Sequence, residues 1–355
     1  MSDVVVIGAG IAGLTCAKQL QQAGYSVVVV DKSRGVGGRV ATRRLHGSVA
    51  DHGACYLKPQ GELVQKLVEV LRAKSICRVW TDIVYEMGSD RQLQPGKQYP
   101  RYVAPMGMSA IAKFLATDLD IRFNQRVQAI NPTDKNTWHF TFDATDEISK
   151  ELTAAAVVVA IPAPQALMLL EPLAEATLSS TFLDSLRSVE FYPSLSVMAG
   201  YSGKSAEELG WKAITFTNDS HLGWIGLDSS KRLDSQSPVF VLQSSAEFAN
   251  RYLEAEDLNP AAREMLSRAA ELLIPWLDSP DWFQIHRWRY AFPSRPLDRE
   301  CLDAATTLPL VCCGDWCGGN LIESAMNSGL AAAVHINSKL QQLSLSGDSF
   351  WEAIA

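Results

Sequence analysis

The first thirty-nine residues, MSDVVVIGAGIAGLTCAKQLQQAGYSVVVVDKSRGVGGR, restrict the fold more than any other part of the chain. Residues 4–7 are a run of β-branched side chains closed by glycine, the pattern of a strand buried on both faces of a parallel sheet. After the turn Gly8-Ala9-Gly10-Ile11-Ala12-Gly13, the apolar residues Ile11, Leu14, Ala17 and Leu20 recur at helical spacing until Gly24 stops the helix. A second strand, residues 27–30, ends at Asp31, eighteen residues beyond Gly13. In this βαβ unit Gly8 permits the tight turn, Gly10 lets backbone approach a pyrophosphate, and Gly13 lets helix and strand pack closely. Free N–H groups at the helix start face the phosphates, and Asp31 is placed to accept from ribose hydroxyls. Such a unit predicts dinucleotide binding.

A second cluster, Arg34-Gly35-Val36-Gly37-Gly38-Arg39, narrows the dinucleotide, because a Gly-Gly-Arg turn after Asp31 can bring N–H groups and a guanidinium to the same pyrophosphate from its other side. Here the chain resembles the flavin amine oxidase superfamily, in which this turn belongs to the FAD site. The resemblance implies one non-covalent FAD held by Gly8, Gly10, Ile11, Ala12 and Gly13, by Asp31, Lys32 and Arg34, and by Gly37, Gly38 and Arg39. In "ADHGACYLKPQ" it places Asp51, Gly53, Ala54, Cys55 and Tyr56 beside the flavin ring, and it adds Val127 from the central strands. In "LPLVCCGDWCGGNLIESAMNSGLAAA" it gives Gly314 and Asp315 to the ribityl or phosphate portion, with Ile322 and Glu323 opening a helix whose N-terminus faces the flavin.

Within that superfamily the chain is similar to renalases, the bacterial form above all, through "DKSRGVGGR", "DHGACY", "PMGMSAI", "IPAPQ", "HRWRYAFP" and "CGDWC" in that order. The implied fold is α/β: a glutathione-reductase-type FAD-binding Rossmann domain (1–56, 103–165, 304–355) with an interleaved α+β substrate domain (57–102, 166–303). Strand-like "FYPSLSVMAGY", "GWIGLD", "VFVLQSS" and "FQIHRWRYAF", with a helix over 261–273, fall in the second. The implied activity is oxidation of misreduced dihydronicotinamide dinucleotides to NAD(P)+, with O2 reduced to hydrogen peroxide. The hydride step needs a stacked donor and no general base, and no convincing acid/base pair stands out. With one complete GxGxxG, the substrate has to enter the flavin cavity itself.

Two alternatives stand beside this reading. Amine oxidases of the superfamily carry a lysine on the strand matched by "FYPSLSVMAGY", where this chain has Ser194 and Ser196. A non-catalytic scaffold, as in GDP-dissociation inhibitors, conflicts with the complete glycine and Asp315 motifs. One departure lies inside the renalase pattern: Gln243 stands where the family has histidine, and an amide does not titrate near neutrality. The substrate-pocket candidates are Tyr56, Tyr102, Ser194, Trp224, Gln243, Trp288 and Leu321.

Other features exclude functions. A net charge of −7 gives no basic footprint for nucleic acid. Seven cysteines without framework spacing favour a reducing compartment, and the N-terminus lacks a signal-peptide pattern, so the expectation is cytoplasmic. The apolar stretch 152–170 contains Pro162 and Pro164, which argues for a strand and turn rather than a membrane span. "GYSGKS" at 200–205 reads as a surface turn, Cys312, Cys313 and Cys317 as packing rather than metal ligands or a flavin link, His286 as structural, and Arg43 and Arg44 as solvated.

Overall fold

The computed structural model describes residues 1–143, 152–173, 177–206, 209–235, 237–345 and 350–351. It opens with β1 (Ser2–Ile7), α1 (Ile11–Gln22) and β2 (Val27–Val30), followed by the hairpin β3 (Thr42–Leu45) and β4 (Ser48–Asp51). Helix α2 (Glu62–Ala73) buries Val64, Leu67, Val68 and Leu71, one stripe at helical spacing. Short strands β5 (Arg78–Thr81), β6 (Tyr85–Met87), β7 (Leu93–Pro95) and β8 (Arg101–Val103) lead to α3 (Ser109–Leu115). Then come β9 (Asp120–Arg122), β10 (Val127–Pro132), β11 (Trp138–Phe142), β12 (Leu152–Val159), α4 (Ala163–Leu170) and α5 (Ser180–Arg187). The chain continues through β13 (Glu190–Gly200), β14 (Ala213–Phe216), β15 (Leu222–Leu227), β16 (Val239–Ser244), α6 (Ala246–Arg251), α7 (Asn259–Leu272) and β17 (Trp282–Arg295). It closes with β18 (Leu302–Asp303), β19 (Leu310–Cys312) and α8 (Ile322–Lys339).

One sheet runs β10-β11-β12-β1-β2-β9, with β19 also on β12 and β18 on β19. Its centre is parallel: β1 pairs with β12 on one side and β2 on the other, and β9 lies parallel to β2. Helices α1 and α8 pack on one face, so closely that a Cβ on Gly329 would lie 2.3 Å from the Ala12 carbonyl. Helices α4 and α5 cover the other, with Ala166, Leu170, Phe182 and Leu186 in one core with Val5, Val28 and Val157. The apolar stretch 152–170 thus divides into a central strand and a helix, and no helix among the described residues is long and apolar enough to cross a membrane.

The second sheet runs β17-β13-β16-β15-β14-β6-β7. One face carries Leu195, Val197, Leu242 and Phe240 into a core with Met265 and Leu266 of α7; the other faces the first unit. The boundary expected at 165/166 falls inside α4, and residues 163–173 and 177–189 pack on the first sheet, because the apolar faces of α4 and α5 cover the strands that precede them. The segment 57–102 is likewise shared, α2 joining the core of α1 and α8 while β6 and β7 join the second sheet. Residues 144–151, 346–349 and 352–355 of the expected FAD-binding segments lie outside the described residues.

Candidate cofactor and substrate cavity

A cavity of about 2070 Å³ lies between the two sheets. Its floor is built by the two glycine turns, which touch each other: the Gly37 N–H donates to Ala9 O at 2.8 Å, and Gly10 and Gly37 form an isolated bridge. The glycines divide their work. Gly8, at φ +110°, and Gly13 have no room for a side chain, since a Cβ would meet Ala160 O at 2.5 Å and Gly8 O at 2.1 Å. Gly10 has nothing within 4 Å of its missing Cβ, so what a side chain would fill there is the cavity itself. The N-terminus of α1, with Gly10 as its N-cap, has no side-chain cap and opens onto this space. A phosphate group fits such a cradle of free N–H donors.

Asp31 holds the first turn: its Oδ2 accepts from Ala9 N–H and its Oδ1 from Ser33 N–H, both at 2.7 Å. Arg39 and Asp315 were expected as separate anchors, but they form one bidentate pair at 2.7 and 2.5 Å, with Arg39 also donating to Ala291 O. The second turn and the strand-end loop after β19 are thereby locked at one point of the wall. Helix α8 begins at Ile322 without a side-chain cap, and Leu321, Ile322 and Glu323 line the cavity. The Glu323 carboxylate is already engaged, accepting from Leu63 N–H at 3.0 Å and Val64 N–H at 2.7 Å, so it caps α2.

The roof is a row of side chains across four strands. Trp224 pairs with Gln243, Gln243 with Ser196, and Ser196 with His286; directly opposed residues share a face. Ser194 and Trp288 form the next row. Two hydrogen bonds tie roof to floor, Gln243 Nε2 to Gly53 O at 2.7 Å and Trp288 Nε1 to His52 O at 2.8 Å. Ser194 Oγ and Trp224 Nε1 are buried without a protein partner, although both residues line the cavity. His52 stacks on Trp288 and meets His286 edge-on, 4.9 Å between centroids. Burial, with the Arg43 guanidinium, pushes His286 down to about 4; burial, then His286 and Arg43, push His52 down to about 3. Both rings are neutral at physiological pH.

Of the residues expected at the cofactor, all line the cavity except Gly13, which sits behind the floor between helix and strand, and Asp51. Of the expected substrate residues, Tyr56, Ser194, Trp224, Gln243, Trp288 and Leu321 line it. Tyr102 does not: β8 turns it into the core with Leu57 and Leu67, beneath Arg72. Asp51 is also away from the cavity, wholly buried with Asp228, Lys231 and Arg232. Burial pushes the Asp51 carboxyl up, but Lys231, Arg232 and hydrogen bonds from Met108 and Thr42 outweigh it and hold it below the usual carboxylate range. Cys317 is buried off the cavity, and burial pushes its thiol up to about 12. Conversely, Arg43, Arg44, His286 and His52 line the cavity, Arg44 exposed as expected, Arg43 half-buried and His286 packed against His52 and Trp288. Strand pairing brings His286 and the β3 arginines there, for which the sequence carries no local signal, while His52 follows from its place in the loop after β4.

The model of the flavin containing amine oxidoreductase family matches residues 77–337, and that of an NAD(P)-binding Rossmann-like domain matches residues 6–71. The chain belongs to the flavin containing amine oxidoreductase family. FAD is its cofactor, and the glycine cradle and uncapped helix starts are where this chain would hold it. Among curated relatives, amine oxidase [flavin-containing] B of Mus musculus is 39% identical over 71 residues, 20% of this chain and 14% of the relative. An L-amino-acid oxidase of Siganus canaliculatus is 41% identical over 75 residues, 21% of this chain and 14% of the relative. The chain therefore spans about a seventh of either relative's length. Two solved structures share the fold: putrescine oxidase bound to putrescine (TM-score 0.71, 15% identity, covering 95% of this chain and 99% of that one) and cyclohexylamine oxidase from Brevibacterium oxydans (0.70, 14%, 96% and 99%).

Proposed function

We propose that the protein is an FAD-dependent oxidase of misreduced dihydronicotinamide dinucleotides, the renalase-type reaction, in which dihydronicotinamide, O2 and a proton give NAD(P)+ and hydrogen peroxide. The observation that carries this reading is the charge of the cavity. In a chain of net charge −7, ten lysines and arginines line it against four carboxylates. Three of those carboxylates are engaged: Asp31 by backbone N–H groups, Asp315 by Arg39 and Glu323 by α2. FAD brings only two phosphates. The remaining positive potential attracts a second anionic dinucleotide and repels an alkylammonium ion. No lysine stands among the cavity-lining residues of the roof strands, which agrees with the same reading.

Bound FAD supplies a two-electron acceptor that oxygen can reoxidise. The protein's part is binding and orientation. Trp224 and Ser194 line the roof and border the space for a ring, with the unpartnered Ser194 Oγ and Trp224 Nε1 buried within the wall. The ties from Gln243 and Trp288 fix the roof's height over the flavin-side loop, and a misplacement of about 1 Å costs roughly a hundredfold in rate. Gln243 spends an amide hydrogen on Gly53 O, so it acts as a spacer in this chain.

Anaerobic mixing with a panel of dihydronicotinamide isomers and simple amines, read by flavin absorbance, tests the reading. A misreduced isomer should bleach the flavin quickly, ordinary NAD(P)H slowly and amines negligibly, with peroxide formed in proportion to turnover once air is admitted. Bleaching by amines alone would make the protein an amine oxidase.

A further inference from the structure

Most of the cations on the cavity wall already have a task. Arg39 is held by Asp315. Arg287 and Arg289, on β17, turn toward Ala255 O and Glu254. Lys32 and Arg34 follow Asp31, and Arg126 sits beside them because Gln125 N–H donates to Asp31 O, so this group serves the end of the cavity where a dinucleotide ribose binds. Lys58 lies over the Tyr99 ring. Arg43 differs. It is half-buried, lines the cavity, and among the described residues has no carboxylate partner; its one polar contact places Nη2 3.4 Å from His286 Nδ1. A guanidinium has no acceptor, so the Nδ1 lone pair must accept, which leaves Nε2 as the ring's donor. Arg43 thus carries a positive charge with unfilled donors next to a neutral N–H donor.

The register gives this pair its place. His286 ends the row Trp224–Gln243–Ser196–His286 and stands two strands from Gln243, about 10 Å at ordinary strand spacing. A ligand with an aromatic ring at the Trp224 end and an anionic group some distance along the row matches that arrangement. We propose that Arg43, backed by His286, is the anchor for a phosphate of the dinucleotide substrate, a second phosphate site in the cavity separate from the glycine cradle that takes the cofactor. This rests on the functional reading above. A planar fork donating to phosphate oxygens makes paired, charge-assisted hydrogen bonds, which favours arginine over lysine at such a position.

The test uses the FAD-loaded protein, its Arg43→Gln and Arg43→Lys variants, a misreduced dihydronicotinamide dinucleotide and the matching phosphate-free riboside, with NAD+ binding by calorimetry as a readout independent of turnover. Arg43→Gln should raise KM for the dinucleotide and Kd for NAD+ about tenfold or more, with kcat and the riboside KM changed far less. Arg43→Lys should recover part of the loss. If both substrates suffer equally, or neither does, Arg43 is not the anchor. If wild type binds NAD+ through Arg43 yet no dihydronicotinamide compound reduces its flavin, the reaction is refuted and the phosphate site stands. If wild type binds no NAD+ and is not reduced, both fall.

Discussion

At Gly13, just behind the floor of the cavity, an added Cβ would lie 2.1 Å from the Gly8 carbonyl; at Gln243, on the roof, a long side chain hydrogen-bonds across to Gly53 O at 2.7 Å. The floor is made of backbone brought close by missing side chains, because a pyrophosphate is best held by N–H groups that approach it directly. The roof is made of side chains on regular strands, where shape and polarity can change without moving the sheet. The floor should therefore respond to substitution in an all-or-none manner, and the roof by degrees.

Two neighbouring glycines offer the sharpest way to break that comparison. Gly13→Val forces helix α1 off β1 and should cost more than about 4 kcal/mol, enough to leave little soluble protein. At Gly10 an added Cβ meets nothing within 4 Å, so Gly10→Val should fold with a near-normal melting temperature and carry no flavin. Absorbance ratios and thermal melts of the two decide it, and a flavin-replete Gly10→Val would show that the cradle does not hold the cofactor.

A smaller effect is expected at the joint between floor and roof. Lys231, wholly buried, lies 2.5 Å from Asp228 and 3.3 Å from Asp51, the residue just before the flavin-side loop. Burial works against its ammonium, yet Asp228 and Asp51 hold its pKa above the usual lysine value. Lys231→Met leaves two buried carboxylates with Arg232 alone and should cost about 3–5 kcal/mol in denaturant titrations. It should also slow flavin reduction more than it lowers flavin content, since the loop it supports carries both ties to the roof. Equal losses in the two would place the joint's influence in the floor.

The floor was legible in the sequence because its determinants are local: a glycine's steric task and the end of a strand can be read from residues a few positions apart. The roof was legible only as a set of strands. The row Trp224–Gln243–Ser196–His286 depends on register between segments far apart in the chain, and so does the approach of β3 that brings Arg43 to His286. Asp51 and Tyr102 were misplaced for the converse reason. Asp51 directly precedes the cavity residues His52 and Gly53 but is buried with Ala50 at the end of β4, and Tyr102 lies on β8, whose three residues are all buried.

The central claim is that the cavity's positive charge, left over after the cofactor is bound, selects the substrate. Its most direct test is the second-order rate of anaerobic flavin reduction by a misreduced dihydronicotinamide dinucleotide as salt is raised from about 0.01 to 1 M, which shrinks the Debye length from about 30 to 3 Å. Opposite charges predict a rate that falls steeply over this range, with the phosphate-free riboside nearly flat. A dinucleotide rate that is flat or rises with salt would contradict the account.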